Sequence, residues 1–172
     1  MIFVKWMKLM VVLVICGLGL SGCRTQKTEP TTKTPTTQQS TPHKQHQATA
    51  QGQRIVVTVN GQRLPAQLNR SSAARALTKR LPLTVKFRDY AGLPEKVADL
   101  DRGLPTKGMP SGHAGTKGAI GYWSPEQRLV FYWGTESYYE GIHIIGQFDQ
   151  QRAQKVVRHM GNQVTVHLQK AK

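Results

Sequence analysis

Residues 55–59 read Ile-Val-Val-Thr-Val, β-branched without exception, and Asn60-Gly61 follows at once. Branched side chains pack well on a pleated surface, and Asn-Gly supplies the two positive-φ residues of a tight hairpin turn. Residues 64–68 return as the partner strand, so the chain is committed to antiparallel pairing from its first ordered element. An isolated hairpin is marginal in water, and further strands must join it. Residues 83–90 alternate Leu83, Val85 and Phe87 against Thr84, Lys86 and Arg88. Residues 119–124 and 128–133 make a second hairpin around Pro125-Glu126-Gln127. Trp123, Phe131 and Trp133 fall on its inward-type positions, with Tyr122, Val130 and Tyr132 opposite. Residues 142–148, again roughly alternating, and residues 164–168 read as two more strands.

Two short helices interrupt these strands. Ser71-Ser72 opens the first, Ala73, Ala74, Leu77 and Leu81 share one face, and Pro82 ends it. Asp149 is placed to cap the second, whose Ala153, Val156, Val157 and Met160 follow helical spacing up to Gly161. Many closely spaced strands with two helices predict a mainly β fold, a closed barrel, because closure removes exposed edges.

The barrel is expected to occupy residues 54–170, and what precedes it is of a different kind. Lys5 and Lys8 flank an apolar run over residues 9–20, and Leu20-Ser21-Gly22-Cys23 follows. This pattern resembles a bacterial lipobox, which makes residues 1–22 a lipoprotein signal peptide and Cys23 the lipidated N-terminus, carrying palmitate or a similar acyl chain. An uncleaved anchor and plain secretion are the competing readings, and for the anchor twelve apolar residues fall short of the about 20 a spanning helix needs. Residues 23–53 are dominated by Thr, Gln, Pro and Lys and bury nothing, which predicts a disordered tether with an end-to-end distance of about 30 Å. The expected location is therefore the extracytoplasmic side of a membrane or envelope.

Charge bears on partners. The chain carries 24 Lys and Arg against 9 Asp and Glu, a formal +15, and the part beyond residue 53 keeps 18 against 8. Such a surplus favours anionic lipids or wall polymers, although it also serves simply to solubilise a surface. Nucleic acid is not expected: the basic residues are dispersed and no binding motif accompanies them. Cys16 and Cys23 are the only cysteines, so the exported portion has no disulfide and burial must hold it together.

Chemistry-bearing motifs are sparse. No nucleophile elbow, Walker string, dinucleotide glycine pattern or HExxH occurs, which lowers the standing of hydrolases and cofactor enzymes; no cofactor is expected. His43 and His46 lie isolated in the tether, and His113 with His143 lacks a third ligand, so no metal site is expected. Residues 91–117 form a long Gly- and Pro-rich stretch, the natural rim of a site. The candidate pocket comprises Arg88, Tyr90, His113, Trp123, Phe131, Trp133, Tyr138 and His143. Arg88 beside Tyr90 could hold an anion or a carbonyl, or be an ordinary surface arginine. Trp123, Phe131 and Trp133 could form a platform for a prolyl or sugar ring, or fill the barrel. His113 could act as acid, base or donor, or be a solvated loop residue. His143 between Ile142 and Ile144 could be structural. Tyr138 and Tyr139 could close over a ligand or pack on the barrel.

Several stretches in order resemble the bacterial cyclophilin-like domain family: Ala73-Ala74-Arg75-Ala76-Leu77, Leu81-Pro82-Leu83-Thr84, Asp89-Tyr90, Glu95-Lys96-Val97, Leu104-Pro105, Gly118-Ala119-Ile120-Gly121-Tyr122-Trp123, Leu129-Val130-Phe131-Tyr132-Trp133 and Ile145-Gly146. The resemblance spans nearly all of residues 54–170 and implies a cyclophilin-like barrel. It implies an activity far less firmly. The Phe-His-Arg and Phe-x-x-Gln-Gly strings of true cyclophilins are absent, and the family's Gly-Asp-Ile becomes Gly118-Ala119-Ile120. A membrane-tethered module binding a ligand or partner is the leading expectation; peptidyl-prolyl isomerisation of exported polypeptides is the alternative.

Overall fold

The computed structural model describes residues 52–172. The signal peptide, Cys23 and nearly all of the expected tether lie outside the described residues. In chain order the elements are β1 (Arg54–Val59), β2 (Gln62–Leu68), α1 (Ser72–Lys79), β3 (Leu83–Asp89), β4 (Glu95–Asp99), β5 (Gly112–Ala114), β6 (Ala119–Trp123), β7 (Arg128–Tyr132), β8 (Tyr138–Glu140), β9 (Ile142–Phe148), α2 (Arg152–His159) and β10 (Val164–Lys170). Eight of the strands close an antiparallel barrel in the order β1-β10-β3-β4-β7-β6-β9-β2, and β5 with β8 forms a separate two-stranded ribbon.

The first hairpin is built as its residues dictate. Asn60 and Gly61 adopt φ of 47° and 76°, and Val59 pairs with Gln62 across the turn. Period-two alternation then sends Ile55, Val57 and Val59 inward with Leu64, Ala66 and Leu68. Phe87 stacks on Phe131 at 4.2 Å between ring centroids, and Phe148 meets Phe131 edge-on at 5.1 Å. Ser71 caps α1 by accepting from Ala74 N, and α1 buries Ala73, Ala74 and Leu77. Ala153, Val157 and Met160 do the same for α2. The interior is thus filled, and each large apolar side chain there contributes about 1.5–3 kcal/mol.

Four expectations are corrected. The stretch 91–117 is not one loop: it contains β4, a full member of the barrel wall between β3 and β7, and β5 of the ribbon. Asp149 does not cap α2. Its amide donates to Pro65 O, the helix starts at Arg152, and Gln151 holds the N-cap position without a side-chain bond. The phase of the second hairpin is set by its register, Ile120 with Phe131 and Tyr122 with Leu129, which turns Tyr122 inward and Trp123 outward with Arg128. Finally, β9 does not alternate cleanly. Its pairing with β6 shifts between Ile120 and Gly121, so Ile142 and Ile144 face out while Ile145 joins the interior.

Candidate functional site

The wall made by β4, β7, β6 and β9 carries apolar residues on both faces. Val97, Ala119, Val130, Tyr132 and Ile142 form a second buried cluster on the outside of the barrel, edged by Tyr90, Trp123 and Ile144. An outer apolar face must be covered, and the β5–β8 ribbon with the segments around it covers part. What stays open is a cleft of about 240 Å³ lined by Tyr90, Ala91, Leu93, Glu95, Trp123, Val130, Tyr132, Glu136, Ser137, Tyr139 and Ile142.

Its aromatic wall is held by close packing. Tyr90 meets Trp123 edge-on at 5.5 Å, and the Arg128 guanidinium lies 4.9 Å from the Tyr90 ring centre and 5.5 Å from that of Trp123. Tyr132 is seated between two glycines: a Cβ on Gly115 would come within 2.3 Å of its ring, and one on Gly121 within 2.8 Å. Bare backbone at both positions leaves the ring the room it occupies.

The polar element of the cleft is Glu95, opposite Tyr132 in the β4–β7 register and 5% exposed. Its neighbour Lys96 is equally buried, but Lys96 Nζ donates to Asp89 at 2.6 Å and to Gly161 O at 2.8 Å. Glu95 makes no hydrogen bond within the described residues. Burial pushes its carboxyl up to about 7, negative Glu136 adds to the rise, and Arg128 opposes it. Burial also carries the Tyr132 phenol well above its ordinary range, with Glu95 and Glu136 contributing.

The residues expected to share a pocket separate into several places. Tyr90 and Trp123 line the cleft. Arg88 does not: it holds Asp99 through both terminal nitrogens, at 2.8 and 3.1 Å. Arg128 reaches the same carboxylate at 2.9 Å and also pairs with Glu126. The Arg88 hydrogen bond leads in holding the Asp99 carboxyl below its usual range. Phe131 is interior. Trp133 packs against the interior cluster near α2, where Arg158 lies 4.9 Å over its ring. Tyr138 is exposed, with its hydroxyl 3.4 Å from Ser111 Oγ, and it is the next residue, Tyr139, that lines the cleft.

His113 and His143 do converge, on a different hollow of about 240 Å³ with Asn69, Met109, Pro110 and Ile144. His113 Nδ1 lies 2.7 Å from Ala114 O, an exposed local contact. His143 is buried, its Nε2 3.2 Å from Ser124 Oγ, and burial depresses its imidazole against the opposing effect of the Pro110 carbonyl. Among the described residues no three His, Cys, Asp or Glu side chains are grouped to hold a metal.

Glu95, Arg128, Tyr132 and Glu136 do not stand out as pocket residues in the sequence, whereas Tyr139 does, as a residue placed to close over a ligand. For those four the one signal the sequence holds is Tyr132 itself: a large aromatic on the opposite phase of a strand whose inward phase already carries Leu129 and Phe131 marks a wall covered on both sides.

The barrel can be compared with known proteins. No curated protein matches the chain. Among solved structures, the solution structure of the hypothetical protein AF2241 from Archaeoglobus fulgidus is similar over 70% of this chain and 95% of that one, at 12% identity and a TM-score of 0.49. McbB, solved in complex with tryptophan, is similar over 67% of this chain but only 44% of its own length, at 11% identity and a TM-score of 0.51. The likeness to McbB, at such identity, is one of fold alone. The sequence profile of the cyclophilin-like family, in contrast, matches residues 57–169, from within β1 to within β10 and hence through every strand of the barrel, and the chain belongs to that family.

Proposed function

We propose that the protein is a membrane-tethered ligand-binding module of the cell envelope, held by lipid on Cys23 and presenting the outer cleft to its surroundings. The observation that carries the binding reading is an aromatic cleft whose polar groups lack partners among the described residues: the Glu95 carboxyl makes no hydrogen bond, and the buried Trp123 Nε1 has none either. Buried polar groups are normally satisfied, and those that are not mark places where something else supplies the partner. Support for the tether is the lipobox-like Leu20-Ser21-Gly22-Cys23 and the polar stretch after it.

Two experiments test the two halves. Chemical-shift mapping with a library of cationic, neutral and anionic fragments is expected to perturb Tyr90, Glu95, Trp123 and Tyr139 together. Shifts confined to other faces, or none at all, would remove the cleft from consideration. Palmitate labelling in a bacterial host is expected for the natural chain and not for Cys23→Ala; equal labelling of both would discard the lipid anchor.

Prolyl isomerisation is a second reading, favoured by family membership and by a guanidinium, that of Arg128, against two cleft aromatics. Such catalysis needs a guanidinium directed at the prolyl nitrogen to weaken amide resonance. Arg88 is engaged with Asp99 through both terminal nitrogens, and Arg128 with Asp99 and Glu126 through Nε and one terminal nitrogen, so a single buried nitrogen of Arg128 is left for a prolyl group and binding is the better supported function. A protease-coupled proline-peptide assay separates the two: a rate above background, lost in Arg128→Lys, would establish the enzyme.

A further inference from the structure

We propose that the cleft receives a small organic cation, an ammonium group on an apolar body. This rests on the reading of the cleft as a ligand site and specifies its ligand.

Charge is the first argument. Beyond residue 53, basic residues outnumber acidic ones by 18 to 8, yet the cleft lining holds two carboxyl groups, Glu95 and Glu136, and no Lys, Arg or His. An acidic hollow on a basic surface attracts free cations. The nearby positive group, Arg128, gives Nε to Asp99 and one terminal nitrogen to Glu126, and lies behind the Tyr90 and Trp123 rings with its other terminal nitrogen buried and unpartnered.

The walls are the second argument. Tyr90, Trp123, Tyr132 and Tyr139 offer ring surfaces around the carboxyl groups. A cation within about 6 Å of an aromatic centre gains from the ring quadrupole, more so where water is excluded. An anionic ligand would face the two carboxyl groups of the lining itself, Glu95 and Glu136, and a neutral one would leave both unpaired. A cation instead supplies Glu95 with its missing hydrogen bond or charge partner. Leu93, Val130 and Ile142 complete an apolar surround suited to an alkyl or aryl body.

The third argument is linkage. The groups that bear on Glu95 are Glu136 after β7, Tyr132 and Arg128 on β7, Tyr90 after β3 and Tyr139 on β8. With its carboxyl near 7, Glu95 is half protonated at neutral pH, and a bound cation draws it to the charged form. Affinity therefore rises with pH across that range, and binding releases a proton below it.

The test is calorimetric titration of the full-length chain in non-ionic detergent with n-butylammonium, N-acetyl-lysine methylamide, n-butanol and butyrate. The butylammonium ion is expected to bind at least tenfold more tightly than butanol or butyrate, to shift the Trp123 indole resonance, and to gain about tenfold between pH 5.5 and 8.5. Glu95→Gln, which keeps shape, is expected to lose that preference and flatten the pH profile; Glu136→Gln is expected to lose a smaller part. Stronger binding by the lysine derivative than by butylammonium would assign the cation to a peptide side chain, and the reverse to a free amine. Butanol or butyrate binding in the cleft as well as butylammonium would overturn the cation while leaving the ligand site standing. Failure of all four, with library fragments still mapping to the cleft, would do the same. Fragments that avoid the cleft altogether would remove both readings.

Discussion

Tyr132 stands directly across the β4–β7 ladder from Glu95, so the phenol and the carboxyl share one dry patch of the barrel's outer wall. Neither is comfortable there when charged, and the consequence is measurable in stability. The Glu95 carboxyl titrates near 7 when folded and near the ordinary 4.5 when unfolded. The folded state therefore holds its proton more tightly, and raising the pH from 4.5 through 7 removes stability. A tenfold difference in proton affinity between the two states corresponds to about 1.4 kcal/mol, so Glu95→Gln is expected to gain up to about 3 kcal/mol over the parent at pH 8 and little at pH 4.5. His143, whose imidazole is depressed by burial, works in the opposite sense as pH falls, and comparing the variant with its parent cancels it. Urea unfolding at the two pH values checks this; an equal difference at both would mean that the carboxyl is not perturbed.

The glycine slot around Tyr132 carries its own expectation. A methyl group on Gly121 would stand 2.8 Å from the Tyr132 ring, inside contact distance, with the rigid sheet behind it. Overpacking of this kind costs about 1–3 kcal/mol. Gly121→Ala should lower stability by that amount and push the ring toward the cleft, weakening any ligand that touches Tyr132. Unchanged unfolding and an unchanged Tyr132 resonance would show that the wall yields more easily than its packing implies.

The three aromatics that look alike in sequence should respond differently to truncation. Phe131 is wholly buried between Phe87 and Phe148, and Phe131→Ala is expected to cost about 3–5 kcal/mol. Trp133 and Trp123 are each partly exposed, and alanine there should cost less, with only the Trp123 variant altering fragment binding in the cleft. Thermal unfolding and shift mapping of the three variants distinguish interior from site. A Trp133 variant that abolished cleft binding would contradict the separation of the two faces.

How much of this is legible in the chain depends on whether the determinant is local. Asn60-Gly61 specifies its hairpin through the conformations of two residues, and Ser71 its helix through one hydrogen bond, so both can be read directly. The strand β4 cannot. Glu95, Lys96 and Asp99 look like a solvated loop, and Lys96 becomes buriable only because Asp89 and Gly161 O, 7 and 65 residues away, satisfy it. The face of Trp123 is likewise set by cross-strand register, since the Pro125-Glu126-Gln127 turn decides which residues pair. The cleft inherits both difficulties. Its carboxyl comes from the unread strand, and its walls come from strands whose outward phases meet only when the barrel closes.

A last expectation concerns the face carrying α2. Lys117, Arg152, Lys155, Arg158 and His159 surround a broad groove there with Trp133 in its floor and no acidic residue in its lining. The tether proposed above, some thirty residues long, would hold the barrel within reach of a membrane, and a basic face bearing a tryptophan suits an interface with anionic headgroups. Each basic residue near such a surface is worth about 1 kcal/mol, so Lys155→Gln combined with Arg158→Gln should reduce partitioning roughly thirtyfold. The measurement is sedimentation of a chain beginning at residue 24 with vesicles containing phosphatidylglycerol, repeated at rising salt. Exposed charges are screened beyond about 10 Å at 0.1 M salt, so binding through this face should fade steeply as salt rises. Binding that ignored salt, or that survived the double substitution undiminished, would mean that the basic surplus on this face keeps the domain soluble and does not orient it.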